Sequence, residues 1–252
     1  MHRRIFAGLR GKRRLDPLGP STESFHRAAG SGNLRAAVFG VNDGLVSNLS
    51  LVMGIAGAAP GGDVVLIAGL AGLLAGAFSM ATGEYVSVLT QRERLQRELE
   101  LERVELEEDP EEEEQELSLI YRAKGLEPEE AAKVAQRLIS DKNVALDTLA
   151  REELGLNPAE LGNPSGAAIS SFFSFAAGAS LPVLPYLFGH SGMAMVVSLA
   201  VSGLALTGVG AAAGLLTGRP LLLTAARMLL FGAVAAAVTY LAGRLLGAAI
   251  AG

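Results

Sequence analysis

Apolar residues gather along this chain into five runs of about 20 residues, at 34–58, 64–89, 166–188, 192–216 and 221–250. As a helix, each is long enough to cross the ~30 Å hydrocarbon core of a bilayer, and the last has length to spare for tilt. Between the second and third runs the pattern inverts. From Gln91 the chain reads QRERLQRELELERVELEEDPEEEEQEL, with no Pro before Pro110. One helix is therefore expected to leave the membrane as the second span and continue into water to about Glu108. Asp109-Pro110 supplies an N-cap followed by Pro at the first helical position, so a second helix starts there and stops at Gly125. Pro128 opens a third, ending near Leu154-Gly155, with a candidate break at 140–143. Leu117, Ile120 and Tyr121, then Val134, Leu138, Leu146 and Leu149, keep helical spacing, so these polar helices can pack on one another.

The expected fold is an all-α membrane protein of five transmembrane helices, with a three-helix domain inserted between spans 2 and 3. Its segments are a basic tail (1–33), spans 1 and 2 (34–90), the acidic domain (91–163) and spans 3 to 5 (164–252). Hydrophobic residues make up 50% of the chain, and a mean hydropathy of +0.37 is too high for an ordinary soluble domain. The net charge of −5 averages a basic N-terminal stretch with a very acidic middle. Lys and Arg are missing from the loops at 58–63 and 189–191, return between Arg92 and Arg151, and recur at Arg219 and Arg227. The positive-inside rule then puts the N-terminus and the acidic domain in the cytoplasm, and five spans put the C-terminus opposite. The tail has no apolar stretch before Leu34, so the first span is expected to act as the insertion signal. Its basic residues suit orientation and anionic lipid rather than nucleic acid. The short loops suggest a prokaryotic plasma membrane.

Cysteine is absent, which excludes disulfides and thiolate metal sites. There is no HExxH, and His2, His26 and His190 are scattered, so nothing points to an enzyme. The candidate chemistry is carboxylate. The first span contains Asn42, Asp43, Ser47 and Asn48, and an acidic residue inside a span suggests a pathway or binding site. Asp43 lies about nine residues in, roughly 13 Å deep at ~1.5 Å per residue. Met80 lies a similar number of residues before the second span re-emerges. Antiparallel neighbours would bring the two to one level, with Glu84 a turn nearer the cytoplasm on Met80's face. Beyond the membrane, Glu98, Glu102 and Glu105 share one face of the first polar helix, and Glu113 and Glu116 share one face of the second. Glu152 or Glu153 could approach from the third. Most Glu-rich helices present a solvated acidic face. Here like charges crowd with few Arg residues to offset them, and a divalent cation would relieve the repulsion. In the third span, Pro182 and Pro185 are expected to bend or unwind the outer end.

The strings FGVNDGLVSNLSLVMGIAGA, FSMATGEYVSVLTQ, SLIYRAKGL, ALDTLAREELG and FSFAAGASLPVLPYLF, in this order, resemble the vacuolar iron transporter family. The resemblance implies a five-span homodimer whose cytoplasmic helices form a metal-binding domain. It implies export of Fe2+, often Mn2+ as well, from the cytosol in exchange for protons, with Zn2+ and Co2+ open and the metal as substrate rather than resident cofactor. Asp43 and Met80 match the family's intramembrane site and Glu84 the glutamate of its GEY motif. Glu102, Glu105, Glu113, Glu116 and Glu153 match its cytoplasmic carboxylates. Where plant-like members carry methionines in the third cytoplasmic helix, this chain has Leu149 and Ala150, so its cytoplasmic site would be all-oxygen. Where some members add an acidic residue ahead of the span's Asp, this chain has Arg35 and Ala36. The residues themselves also allow a different class, a membrane-anchored metal-binding or sensing protein that moves nothing. Asp43 and Met80 argue against it, because an anchor has no need for such residues at matched depth, and a thioether, a poor ligand for Mg2+ or Ca2+, shifts preference toward transition metals.

Overall fold

A computed structural model describes residues 32–58, 61–155, 157, 162–189 and 192–251. The basic tail, apart from its last two residues, and residues 59–60 and 190–191 of the two Lys- and Arg-free loops lie outside these residues. Helices account for nearly all of the described chain, and no strand occurs among the described residues. They are α1 (Gly32–Ala58), α2 (Gly62–Glu108), α3 (Pro110–Ala123), α4 (Pro128–Ile139), α5 (Lys142–Glu152), α6 (Pro164–Ser180), α7 (Leu184–Phe188), α8 (Gly192–Thr217) and α9 (Leu221–Ala251). Four of them, α1, α2, α8 and α9, are long and apolar enough to cross a membrane. Their outward faces are apolar, with Ile67, Phe78, Leu204 and Leu222 all largely exposed. This is a multi-pass membrane protein.

The third expected span is divided. Pro182 has no N–H to continue α6, and the chain turns through 181–183 before α7 begins. At 17 residues α6 is ~25 Å long, short of the hydrocarbon thickness by itself. The third polar helix is divided as well. It breaks at Ser140 and Asp141 into α4 and α5, because Ser140 closes the first helix on the Gln136 carbonyl while Asp141 accepts the N–H groups that open the second.

At the centre of the bundle α1 packs against α2, α6, α8 and α9. Small residues allow these contacts to be backbone to backbone. A Cβ at Gly178 would overlap the Val41 carbonyl, one at Gly44 the Phe175 carbonyl, and one at Gly243 the Gly54 carbonyl. In lipid such contacts displace acyl chains rather than water, so close approach and dispersion supply the stabilisation. The main core cluster is centred on this helix, where Leu45, Leu49, Val52 and Met53 meet Leu206 of α8. Outside the spans, Leu117, Ala135 and Leu149 form a second small core that ties α3, α4 and α5 together, with Leu106 of α2 against it.

Candidate metal centre

The acidic site is assembled at one end of that second core. Along α2 from Glu84 to Glu108 there is neither Gly nor Pro, so the helix stays continuous and carries Glu102 on the side facing the domain. Asp109 caps α3 by accepting from the Glu112 N–H at 3.2 Å, and Pro110 takes the first helical position. That start orients the first turn of α3, with Glu113 turned inward. At the other end of α3 the Gly125 N–H donates to the Arg122 carbonyl and the Leu126 N–H to the Tyr121 carbonyl. This glycine-terminated cap needs the positive φ of Gly125, +102°. Helix α5 is anchored by fully buried Leu149 and Ala150 and delivers Glu153 from its final turn.

One carboxylate oxygen from each of Glu102, Glu113 and Glu153 lies within 4.8 Å of the other two. Glu102 is 3% exposed and Glu113 6%, and Oε1 of the first and Oε2 of the second are buried with no hydrogen-bond partner. Two unit charges at this spacing repel by about 3 kcal/mol at an effective dielectric constant near 20, more than an ordinary hydrogen bond returns. The consequence appears in their acidities. Burial, followed by the Glu153 carboxylate, pushes both Glu102 and Glu113 up to about 7. Burial, then Glu116 and Glu105, raises Glu153 as well. Nearby cations are engaged elsewhere. Arg94 pairs with Glu98 at 2.9 Å, Arg103 with Glu100 and Glu107, and Lys124 with Glu152. A cluster of carboxylates that hold their protons unusually tightly, with no ion pair to a cation among the described residues, suits a hard or borderline divalent ion.

Of the sequence-derived glutamates, the structure thus brings Glu102, Glu113 and Glu153 together and sets exposed Glu105 and Glu116 close enough to act on them. Glu98 is instead turned to Arg94. In the spans, Asp43 and Ser47 are exposed on the α1 face that also carries Phe39 and Leu51, and the Ser47 Oγ donates to the Asp43 carbonyl at 2.6 Å. Asn42 is half-buried, and its Oδ1 is buried without a partner. Met80 is half-buried against the cluster of Ala77, Phe175 and Ala179, and Glu84 is half-buried a turn beyond. Gly44, next to Asp43, seats on the backbone of the same Phe175. Asp43 and Met80 therefore flank one level of α6, and the Asp43 side of α1 faces outward from the single chain.

Sequence reasoning did not find the role of Asn48. Its Nδ2 donates to the Gly69 carbonyl at 3.1 Å and to the Ala179 carbonyl at 2.7 Å. The second acceptor is free because Val183, its regular helical donor, turns to Ser180 instead. Ser198 Oγ covers the next gap by donating to the Pro182 carbonyl at 2.7 Å. The break between α6 and α7 is thus satisfied by side chains of α1 and α8. The signal was present as a polar residue one helical position from the Asp43–Ser47 face, but its partner lies 131 residues away.

A model of the VIT family matches residues 34–244. The chain belongs to the VIT family. Among similar proteins, "Vacuolar iron transporter 1" of Oryza sativa subsp. japonica is 34% identical over 208 residues, 82% of either chain. "Vacuolar iron transporter" of Acanthamoeba castellanii is 42% identical over 215 residues, 83% of this chain and 77% of that one. "Vacuolar iron transporter 1" of Eucalyptus grandis is 31% identical over 208 residues, 82% and 84% respectively. The match to the VIT family runs from α1 into α9, so the carboxylate cluster and the Asp43 and Met80 spans both fall inside it.

Proposed function

We propose that this VIT-family protein carries divalent transition metals, Fe2+ foremost and Mn2+ with it, out of the cytosol in exchange for protons. The observation that carries the reading is the convergence of Glu102, Glu113 and the exposed Glu153, with one buried oxygen on each of the first two that no protein group satisfies. The names of its relatives, iron transporters, give the class of cargo. Residues 91–163 form the cytoplasmic metal-binding domain, where the three glutamates, helped by Glu105 and Glu116, gather the ion. Glu98, held by Arg94, stands at the edge of that site. Asp43 and Met80 form the next station, with Glu84, Asn42 and Ser47 along the path. Metal and protons compete for the same carboxylate oxygens, and that competition is a sufficient basis for antiport.

Five crossings follow if α6 and α7 traverse the membrane together, the break between them lying inside the protein. The outward Asp43–Ser47 face supports a homodimer, because a carboxylate facing hydrocarbon is costly and a second copy would cover it. The distribution of Lys and Arg supports a cytoplasmic N-terminus and acidic domain, and the short loops a prokaryotic plasma membrane.

Flux of Fe2+ or Mn2+ into proteoliposomes under an imposed pH gradient tests the reading. Transport should require the gradient, and Asp43→Ala should abolish flux while metal still binds the glutamate cluster. Unchanged flux in that variant would remove Asp43 from the path. Binding without any flux in the unaltered protein would make it a membrane-anchored sensor.

A further inference from the structure

Glu152 and Glu153 are adjacent, and either could have served the cluster. On a helix neighbouring side chains diverge by about 100°, so only one of the two can face Glu102 and Glu113 at a time. Lys124 decides which. Its ammonium pairs with Glu152, and the same group sits 5.6 Å over the ring of Tyr121. Lys124 is itself fixed, since it is the C-cap residue of α3 and the next residue is the left-handed Gly125 that closes the cap. The last turn of α5 is seated by Leu149 and Ala150, and its end is less firmly closed. Gly155, with φ +64°, ends it, and helix ends fray unless their final residues are tied down. The carboxyl ends of α3 and α5 also both carry partial negative charge, to which Glu152 adds a full one. Lys124 is a cation that reaches from the one to the other.

From this geometry we infer that Lys124 is a positioning residue for the metal centre: by holding Glu152 to the end of α3, it turns Glu153 into the cluster with Glu102 and Glu113. The inference rests on the reading of that cluster as a metal site. Lys124 acts through direction, since its ammonium pairs with Glu152 rather than with a carboxylate of the cluster.

The test is calorimetric titration of the purified full-length protein with Mn2+, in parallel with thermal unfolding. Glu153→Gln should weaken binding about tenfold, the scale of losing one charged ligand contact. Lys124→Ala and Glu152→Gln should each weaken it about threefold, the scale of a half-exposed ion pair, and Lys124→Arg should restore it. In the Glu153→Gln background, Lys124→Ala should have no further effect on binding, because the residue through which it acts is gone. A Lys124→Ala variant that binds like the unaltered protein overturns the inference. So does one whose loss persists undiminished beside Glu153→Gln, which would mark general damage. Should Glu153→Gln alone leave Mn2+ binding unchanged, the metal-site reading itself fails, and the two failures are told apart.

Discussion

Raising the pH from 6 to 8 should tighten Mn2+ binding at the Glu102–Glu113–Glu153 cluster by as much as about a hundredfold. With Glu102 and Glu113 pushed up to about 7, each is mostly protonated at pH 6 and mostly ionised at pH 8. The ionised fraction of one such group rises about tenfold across that interval, and two give about a hundredfold if they titrate independently. Coupling within the cluster spreads the titration without changing its direction. At pH 7 the two groups together hold about one proton, which metal binding should release. That release can be read directly by titrating in buffers of different ionisation enthalpy. Carboxylates with ordinary acidity would be fully ionised throughout and would give a flat profile. The opposite trend is expected for the metal-free protein. An acid whose folded-state pKa is raised stabilises the fold while protonated, and that contribution is lost as pH climbs from the usual carboxylate range through about 7. Metal-free protein should therefore unfold more easily at pH 8 than at pH 5, and Mn2+ should reverse the difference. Affinities within twofold of each other at pH 6 and pH 8 would refute the reasoning. So would a pH dependence untouched by Glu102→Gln and Glu113→Gln together.

Three further outcomes follow from the packing and the backbone. Asn48→Leu leaves the Ala179 carbonyl buried without a donor and should cost about 1–3 kcal/mol, read as a lowered unfolding temperature in detergent; an unchanged temperature would show the α6–α7 break to be satisfied otherwise. Gly178→Val pushes a side chain into the Val41 backbone and should cost about 1–3 kcal/mol by forcing α1 and α6 apart, whereas Gly125→Ala should cost roughly 1–2 kcal/mol through its positive φ alone. Unfolding curves for the two variants check both figures.

Local signals carried the helix boundaries well. The uninterrupted α2, the Asp109-Pro110 start of α3 and its stop at Gly125 all follow from residues within a few positions of the feature they cause. The prolines announced a disturbance at the outer end of the third span, but not that Asn48 and Ser198 would satisfy it, since those partners come from α1 and α8. The glutamates behaved in the same way. Helical spacing groups Glu98 with Glu102 and Glu105, yet Arg94 takes Glu98 from its own helix while α3 and α5 close over Glu102. Helical spacing left Glu152 and Glu153 open, and only the family resemblance pointed to Glu153, because the choice is made by a lysine on another helix. What a residue faces across a helix interface depends on how the helices meet, and a single helical period does not contain that information.

The continuity of α2 has a mechanical consequence. Between Gly76, packed on Phe175 inside the bundle, and Glu102 in the acidic cluster runs a single rod of about 39 Å. A tilt of roughly 10° about its seat would carry Glu102 sideways by about 7 Å, more than the width of the carboxylate cluster. With Leu106 of the same helix packed against the core of α3, α4 and α5, motion within the spans would be transmitted to the acidic cluster without any hinge between them.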